Sequence, residues 1–335
     1  MTRYSFKLLF TVFALFWTAA ASAATVQKSL CIWDLMGANG ETYNLMKDYR
    51  VAARAWGVDF TLRSYSEEKI AAEDFRVGQC DAVVMTGLRT KPFNGFTGSL
   101  ESIGTIPSYE HLRYVIATLS SPKAAKLMLN GDYEIAGVMP FGGIYFYVND
   151  RDINEVGKLA GKKVAFFDYD KSQAKLLQQV GAQAVPSDVT NFAPKFNNGS
   201  VDIIFAPAAA YRPLELYRGL GRKGGIPDFL LAQSSLQIVI RANEFPAGFG
   251  QNSRTYINSQ YDRILTVIKK YEKDIDPRYW FHIPDVDRAR YTAMMRESRI
   301  NLAKEGLYDK RLMALLKRVR CQLDPTNGEC SDSQE

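Results

Sequence analysis

Phe75-Arg-Val-Gly78-Gln-Cys80-Asp81-Ala-Val-Val-Met-Thr86 and Phe196-Asn-Asn-Gly199-Ser-Val-Asp202-Ile-Ile-Phe-Ala-Pro207 follow one pattern, Phe-x-x-Gly-x-x-Asp and then an apolar run. The pattern describes a helix end that buries a Phe, a Gly that tolerates the left-handed turn, and an Asp that opens a buried strand. What precedes each copy matches too. Residues 29–34 and 163–168 are short apolar strands, each followed by a polar loop. Amphipathic helices come next, carried by Leu45, Tyr49, Ala52, Ala53 and Trp56 in the first copy and by Ala174, Leu177 and Val180 in the second. Second strands over 58–63 and 183–185 complete a strand–helix–strand–helix–strand order in each half, which demands a parallel sheet with right-handed crossovers.

Between the halves, two apolar strands flank Pro140-Phe141-Gly142-Gly143, as in a crossing between lobes. Residues 235–242 read as a returning strand. The remainder is helical, with Tyr261, Ile264, Leu265 and Ile268 on one apolar face, and Tyr291, Met294, Met295, Ser298 and Leu302 on another that Gly306 closes. A last helix carries Leu312, Leu315, Leu316 and Val319 with basic residues opposite. The expected fold is α/β and two-lobed, with parallel-core sheets joined by crossing hinge strands and followed by C-terminal helices. Lobe I takes 24–140, lobe II 141–240, the return segment and helices 241–320, and a pinned tail 321–335.

The N-terminus has its own signature. Arg3 and Lys7 precede an apolar run over 8–17, and Ala21-Ser22-Ala23 offers a small-residue cleavage site. That order is a secretory signal peptide, and the run is shorter than the roughly 20 residues a membrane-spanning helix needs. Removal of residues 1–23 from 335 leaves 312, a length that favours two domains. Net charge drops from +6 to +4 when Arg3 and Lys7 leave. Basicity this mild and dispersed argues against a nucleic-acid partner.

All four cysteines follow the leader, and an even count in an oxidising compartment predicts two disulfides. Cys321 and Cys330 bracket a Pro-Thr-Asn-Gly turn, so their bridge pins the C-terminus. Cys31 and Cys80 then pair by elimination, and in a parallel sheet their two strand starts lie at the same edge. A metal or redox role fits poorly, since no C-x-x-C occurs and the chain has two histidines.

Leu159-Ala-Gly161-Lys-Lys163-Val-Ala-Phe, Val180-Gly181-Ala182 with Pro186, and Phe196-x-x-Gly199-x-Val-Asp202 together resemble the second lobe of the TRAP-transporter solute-binding proteins of DctP type. The likeness spans roughly residues 140 to 245. It implies a type II periplasmic-binding fold that feeds a membrane symporter and usually holds a carboxylate-bearing ligand. One position departs from the family motif, where an Arg clamps the ligand carboxylate. Here it is Ala165, so the bidentate fork suited to a carboxylate is missing there.

Candidate ligand contacts sit where strands hand over to helices. In the first lobe, Asn39 and Thr42 lie in a loop that opens a helix, whose backbone N–H groups would meet an anion; the ordinary alternative is an N-cap at Asn39. Thr86 and Arg89 follow the repeat strand, and Arg89 is the candidate carboxylate contact, with a solvated surface Arg as its alternative. In the second lobe, Asp168, Ser172 and Gln173 meet a helix start, where Asp170 and Gln173 also fit a capping box. Tyr211 and Arg212 follow the second repeat strand behind small residues that leave room for a ligand. Phe141 and Tyr145 mark the hinge.

The motif inventory argues against catalysis. It contains no G-x-S-x-G and no H-E-x-x-H, and His111 and His282 stand apart. No cofactor is implied. The expected protein is a monomeric periplasmic solute-binding protein that captures a small solute, anionic ones among the candidates, and serves an inner-membrane permease. The alternative is an adaptor for a sensor or efflux assembly, docked through the basic C-terminal helix with Arg311, Lys317, Arg318 and Arg320.

Overall fold

The computed structural model describes residues 25–335; the leader read over residues 1–23 lies outside them. The first half runs β1 (Val26–Trp33), α1 (Glu41–Arg54), β2 (Val58–Tyr65), α2 (Glu68–Arg76), β3 (Ala82–Thr86), the short α3 (Gly87–Thr90) and α4 (Tyr109–Ser120). A two-residue β4 (Leu129–Asn130) leads into β5 (Tyr133–Val148). The second half repeats the order with β6 (Lys163–Phe167), α5 (Lys171–Gln179), β7 (Gln183–Ser187), α6 (Phe192–Asn197), β8 (Ile203–Pro207) and α7 (Tyr217–Leu220). After β9 (Ile226–Pro227), β10 (Ala232–Arg241) returns, followed by α8 (Phe249–Ser259), α9 (Tyr261–Lys273), β11 (Trp280–Phe281), α10 (Asp285–Lys304) and α11 (Lys310–Leu323).

The duplicated pattern has one physical explanation in both copies. Phe75 and Phe196 are fully buried at the ends of α2 and α6, and Gly78 and Gly199 turn with φ of +83° and +75°. Burial of a Phe stabilises each corner by roughly 2–3 kcal/mol. The Asp then clips its strand to a neighbour. The Asp81 carboxylate accepts from Ser29 N at 2.6 Å, while Asp81 N donates to Ser29 O. Asp202 does the same with Lys163 N at 2.9 Å and Lys163 O. Asp202 thereby satisfies the first amide of β6, and Asp81 an amide inside β1.

The sheet is continuous through both lobes, in the order β2-β1-β3-β10-β5-β8-β6-β7, with β4 also paired to β5. β1, β2 and β3 are mutually parallel, as are β6, β7 and β8. The two parallel blocks are joined by the antiparallel pair β5 and β10. The segment expected as two strands about Pro140-Phe-Gly-Gly is one strand of 16 residues. Its ladder with β10 continues on both sides of a bulge, where Ser234 pairs with Gly142 and Ser235 with Pro140. Phe141 is the extra residue. The sequence boundary drawn at 140/141 therefore falls inside a strand that both lobes share.

The terminal helices buttress both halves. Leu302, Leu312, Met313 and Leu316 join the core of the first block, while Tyr291 and Met295 pack with Phe146, Val164 and Leu177 of the second. Of the basic residues weighed for partner docking, Arg320 and Lys317 turn inward. Arg320 and Arg299 share the Glu329 and Glu335 carboxylates, all four side chains being nearly solvent-free. Lys317 donates to the carbonyls of Asp332 and Glu335, and Arg311 clasps Asp309. Both expected disulfides are present, Cys31–Cys80 and Cys321–Cys330. Cys31 sits deeper in β1 than a strand start, because β1 begins at Val26.

The first bridge closes a loop with a sequence separation of 49, the second one of 9. Loop-closure entropy gives them about 4 and about 3 kcal/mol. The paired variant Cys31→Ala/Cys80→Ala should therefore lower urea-unfolding stability more than Cys321→Ala/Cys330→Ala does.

Candidate functional site

The parallel strands β1, β3, β6 and β8 end at one cleft. Trp33, Thr86, Phe167 and Pro207 are their last residues, and all four line a cavity of about 520 Å³ between the blocks. This cavity also meets Glu68, Phe141, Tyr169 and Phe192. An adjoining cavity of about 740 Å³ shares Leu88, Glu101, Ile144, Phe167, Phe192 and Phe205 with it and extends to Ala165, Asp170, Gln173 and Tyr308. Their position at the carboxyl ends of strands is the usual one for ligand sites in open α/β sheets. The bulge in β5 aims Phe141 into this space, edge-on to Trp33 with ring centroids 5.7 Å apart. A third cavity of about 750 Å³ lies beyond Leu35 and Phe141. Of its charged groups, Asp34 is engaged by backbone amides and Arg263 by Asp48 at 2.6 Å, and Glu41 is the third.

The α1 N-terminus is occupied by the protein's own carboxylate. Asp34 Oδ2 accepts from Thr42 N at 2.9 Å and Tyr43 N at 3.2 Å, and Oδ1 accepts from Met36 N at 2.8 Å. These are the donors that an anion would have used. The N-cap is Gly40, not Asn39, because a Cβ at residue 40 would lie 1.8 Å from Asp34 Oδ1. Asn39 is exposed and lines none of the three cavities, while Thr42 lines the third.

Arg89 lies at the rim. Its Nε is 3.6 Å from Glu68 Oε2, and its guanidinium stacks 3.5 Å from the Tyr169 ring of the other block. Glu68 is buried, its Oε1 accepts from Thr86 N at 2.7 Å, and burial pushes its carboxyl up despite Arg89. Lys91 reaches across the same rim to Asp170 at 3.9 Å, with burial holding its ammonium below the usual lysine range. These contacts tie the two blocks together, and neither Arg89 nor Lys91 lines the first two cavities.

In the second block, Asp170 caps α5 by accepting from Ser172 N at 3.0 Å. Gln173 does not complete a capping box; its Oε1 accepts from Phe167 N at 3.0 Å, and the side chain lines the second cavity. Asp168 is exposed, and its N–H continues the ladder to Ser187 O. Tyr211 is buried against Tyr217 and Tyr279, and Arg212 bonds the Asp274 carbonyl, so both lie behind the cavity wall that Ala210 and Leu214 form. Tyr145 donates to Glu272 at 2.9 Å, beside Tyr109 at 2.5 Å, and so braces the hinge.

Sequence reasoning missed Glu101 altogether. It lies outside the repeat, in an irregular segment, where no periodicity marks it. Its Oε1 accepts from Gly87 N and Ser235 N, both at 3.0 Å, and its side chain borders both principal cavities. Burial pushes its carboxyl up to about 8, nearby Glu68 adds to the rise, and the two amides oppose it. Trp33 and Phe167 were also missed, although the rule that selected Thr86, the carboxyl end of a strand, applies to them equally; Phe205, in the middle of β8, was missed as well.

The shared cleft and the hinge strands define a two-lobed solute-binding protein. The family described as solute-binding protein AdeT 1/2 matches residues 50–335, and this chain belongs to it. The chain is 48% identical over 304 residues to the probable solute-binding protein AdeT1 of Acinetobacter baumannii, covering 91% of this chain and 100% of that one. Among solved structures, it is similar to a TRAP periplasmic solute-binding protein of Haemophilus influenzae with bound L-gulonate, at a TM-score of 0.72 and 10% identity over 88% of this chain and 99% of the other. A TRAP periplasmic solute-binding protein of Desulfovibrio salexigens with bound orotic acid gives 0.69 and 14%, over 89% and 99%. The resemblance read from the second-lobe motifs therefore holds for the fold.

Two expectations follow. Asp34→Ala should cost about 1–2 kcal/mol, because the first-turn amides Thr42 N and Tyr43 N lose the acceptor a capping side chain supplies, and Gly40→Ala should lower the melting temperature by displacing the same carboxylate; circular dichroism melts check both. Glu101 has a folded-state value above its unfolded one of about 4.3, so its contribution to stability is present at low pH and lost as pH rises through about 8. Glu101→Gln should flatten the fall in melting temperature between pH 5 and pH 8.

Proposed function

We propose that this protein is exported to the periplasm, captures a small solute between its lobes and presents it to an inner-membrane transporter. The observation that carries this reading is the convergence of four parallel-strand ends, two from each block, on one cleft. Such a cleft opens and closes by a change at the few residues where the crossing strands leave one block for the other. The bulge at Phe141 and the Gly142-Gly143 pair mark that place, Gly142 having φ of +127°. The rim contacts Arg89–Tyr169 and Lys91–Asp170 then describe a closed state stabilised by side chains of both lobes. The site offers binding rather than catalysis, since no nucleophile paired with a base borders the two main cavities among the described residues.

A thermal-shift screen with carboxylates, amino acids, amines, sugars and phosphonates tests this directly. A solute at a hundred times its dissociation constant stabilises the folded state by about 2.7 kcal/mol. The expected result is a saturable shift that Leu88→Trp removes by filling the space common to both cavities. A screen without any shift would instead favour the adaptor role.

A further inference from the structure

Resting on the solute-capture reading, we infer that the cleft selects an organic cation with an apolar body, its positive head set against Glu101, rather than a carboxylate. Three independent features converge on this chemistry. First, the position from which the family's arginine would meet a ligand carboxylate holds Ala165, whose side chain is part of the wall of the second cavity. The wall beside it is Phe166, Phe167, Phe205 and Leu88. A carboxylate placed there would lose its water without gaining a cationic partner.

Second, the charged side chains that line the two principal cavities are Glu68, Glu101 and Asp170; among the described residues, no Lys or Arg lines either one. The cations nearest the cleft are committed elsewhere, Arg89 to Glu68 and the Tyr169 face, Lys91 to Asp170 and the Tyr308 face. Third, one acceptor lacks a hydrogen bond. Glu68 is 1% exposed and lines the first cavity, and its Oε2 has only the ion-pair contact with Arg89 Nε at 3.6 Å, too long for a hydrogen bond. A buried acceptor of this kind is costly unless a donor arrives.

Glu101 is placed to receive the head group. It borders both cavities, and two backbone amides and Ser235 Oγ fix the position of its Oε1. Its Oε2 has only Ser234 Oγ at 3.4 Å. The body of the ligand would lie among Trp33, Phe167, Phe192 and Phe205, whose ring faces also attract a cation. The same lining offers a carboxylate no free cationic partner, so selection works by exclusion as well as by attraction.

The charge of Glu101 makes the selection pH-dependent. The titratable groups that line the cavities with it are Glu68 from α2, Tyr169 and Asp170 from the loop after β6, and Tyr308 after α10, while Arg89 of α3 meets Glu68. With its carboxyl raised by burial, Glu101 is largely protonated at neutral pH in the empty cleft. A cation at that position favours the ionised form, so binding releases a proton and tightens as pH rises.

The test is titration calorimetry on the full exported protein with benzyltrimethylammonium, whose charge does not change with pH, phenethylamine, and phenylacetate as the charge-inverted match. The two cations should bind one to one. Affinity for benzyltrimethylammonium should rise at least tenfold from pH 6 to pH 9, with proton release read from the buffer dependence of the heat. Glu101→Gln, which keeps the shape, should weaken binding at least tenfold and abolish that pH dependence, and Ala165→Arg should shift preference toward phenylacetate. Preference of the unaltered protein for phenylacetate would overturn the cation assignment while leaving solute capture intact. Cation binding that is indifferent to Glu101→Gln would overturn the role of Glu101. No binding of either cation overturns the inference, and if the broad solute screen is also blank, solute capture falls with it.

Discussion

The antiparallel ladder between β5 and β10 is the constraint on which the remaining architecture depends. Each parallel block is a self-contained strand–helix alternation, and neither has a reason of its own to face the other. β5 bonds β10 along most of its length and then bonds β8, while β10 bonds β3 on its other side. One hydrogen-bonded sheet therefore passes through both lobes, and the strand ends of both blocks are brought to the same cleft. The bulge at Phe141 is the single interruption that also serves the site. It leaves a residue out of register and turns its ring toward Trp33. A Cβ at Gly143 would displace the Leu230 side chain, whose Cδ2 would lie 2.2 Å away.

Charged groups near the cleft are used mostly for architecture. Asp34 closes the N-terminus of α1, Asp170 that of α5, and Asp81 and Asp202 clip strands to their neighbours. Arg89 and Lys91 join lobe to lobe. In this arrangement a helix dipole that elsewhere would hold an anionic ligand is already neutralised by a local carboxylate. What is left facing the cavity is an aromatic and aliphatic wall with a few acidic groups. Glu101 differs from the capping aspartates in lying over the cavity with one oxygen weakly engaged, so its burial costs more and its proton is held more tightly.

The terminal helices show how a basic sequence can be misleading when read by composition. Lys317 and Arg320 were read from the sequence as part of a docking surface, but their partner is internal, and Arg299 joins them. Glu329 and Glu335 fold back over them, and Cys321–Cys330 holds the returning segment in place. Buried pairs of this kind contribute little net stability against apolar replacements, and removal of one member leaves an uncompensated charge. Their effect is to fix one position for the tail against α10 and α11.

Much of the fold was legible along the chain because its signals are local. Phe75-x-x-Gly78-x-x-Asp81 and its second copy encode a buried corner, a left-handed turn and a strand clip within seven residues, and the structure realises all three in both places. The apolar spacing of α1 and the short bridge Cys321–Cys330 are of the same kind. Cys31–Cys80 followed by elimination, with the strand starts of the repeat as its geometric reason; Cys80 lies just before β3. The site was far less legible. Thr86, Phe141 and Gln173 line the two main cavities, but Arg89, Tyr211, Arg212 and Asp168 do not, and Glu101 was not seen at all. Whether a side chain at a strand end faces the cleft depends on what it meets from elsewhere: Glu68 draws Arg89 aside, Tyr279 packs over Tyr211, and the Ser235 amide fixes Glu101. The sequence by itself determined the elements, their order and the disulfides, since these rest on burial periodicity and turn chemistry over short spans. Only the tertiary structure decided which groups face the solute, because that depends on pairings between segments up to 134 residues apart, as for Glu101 and Ser235.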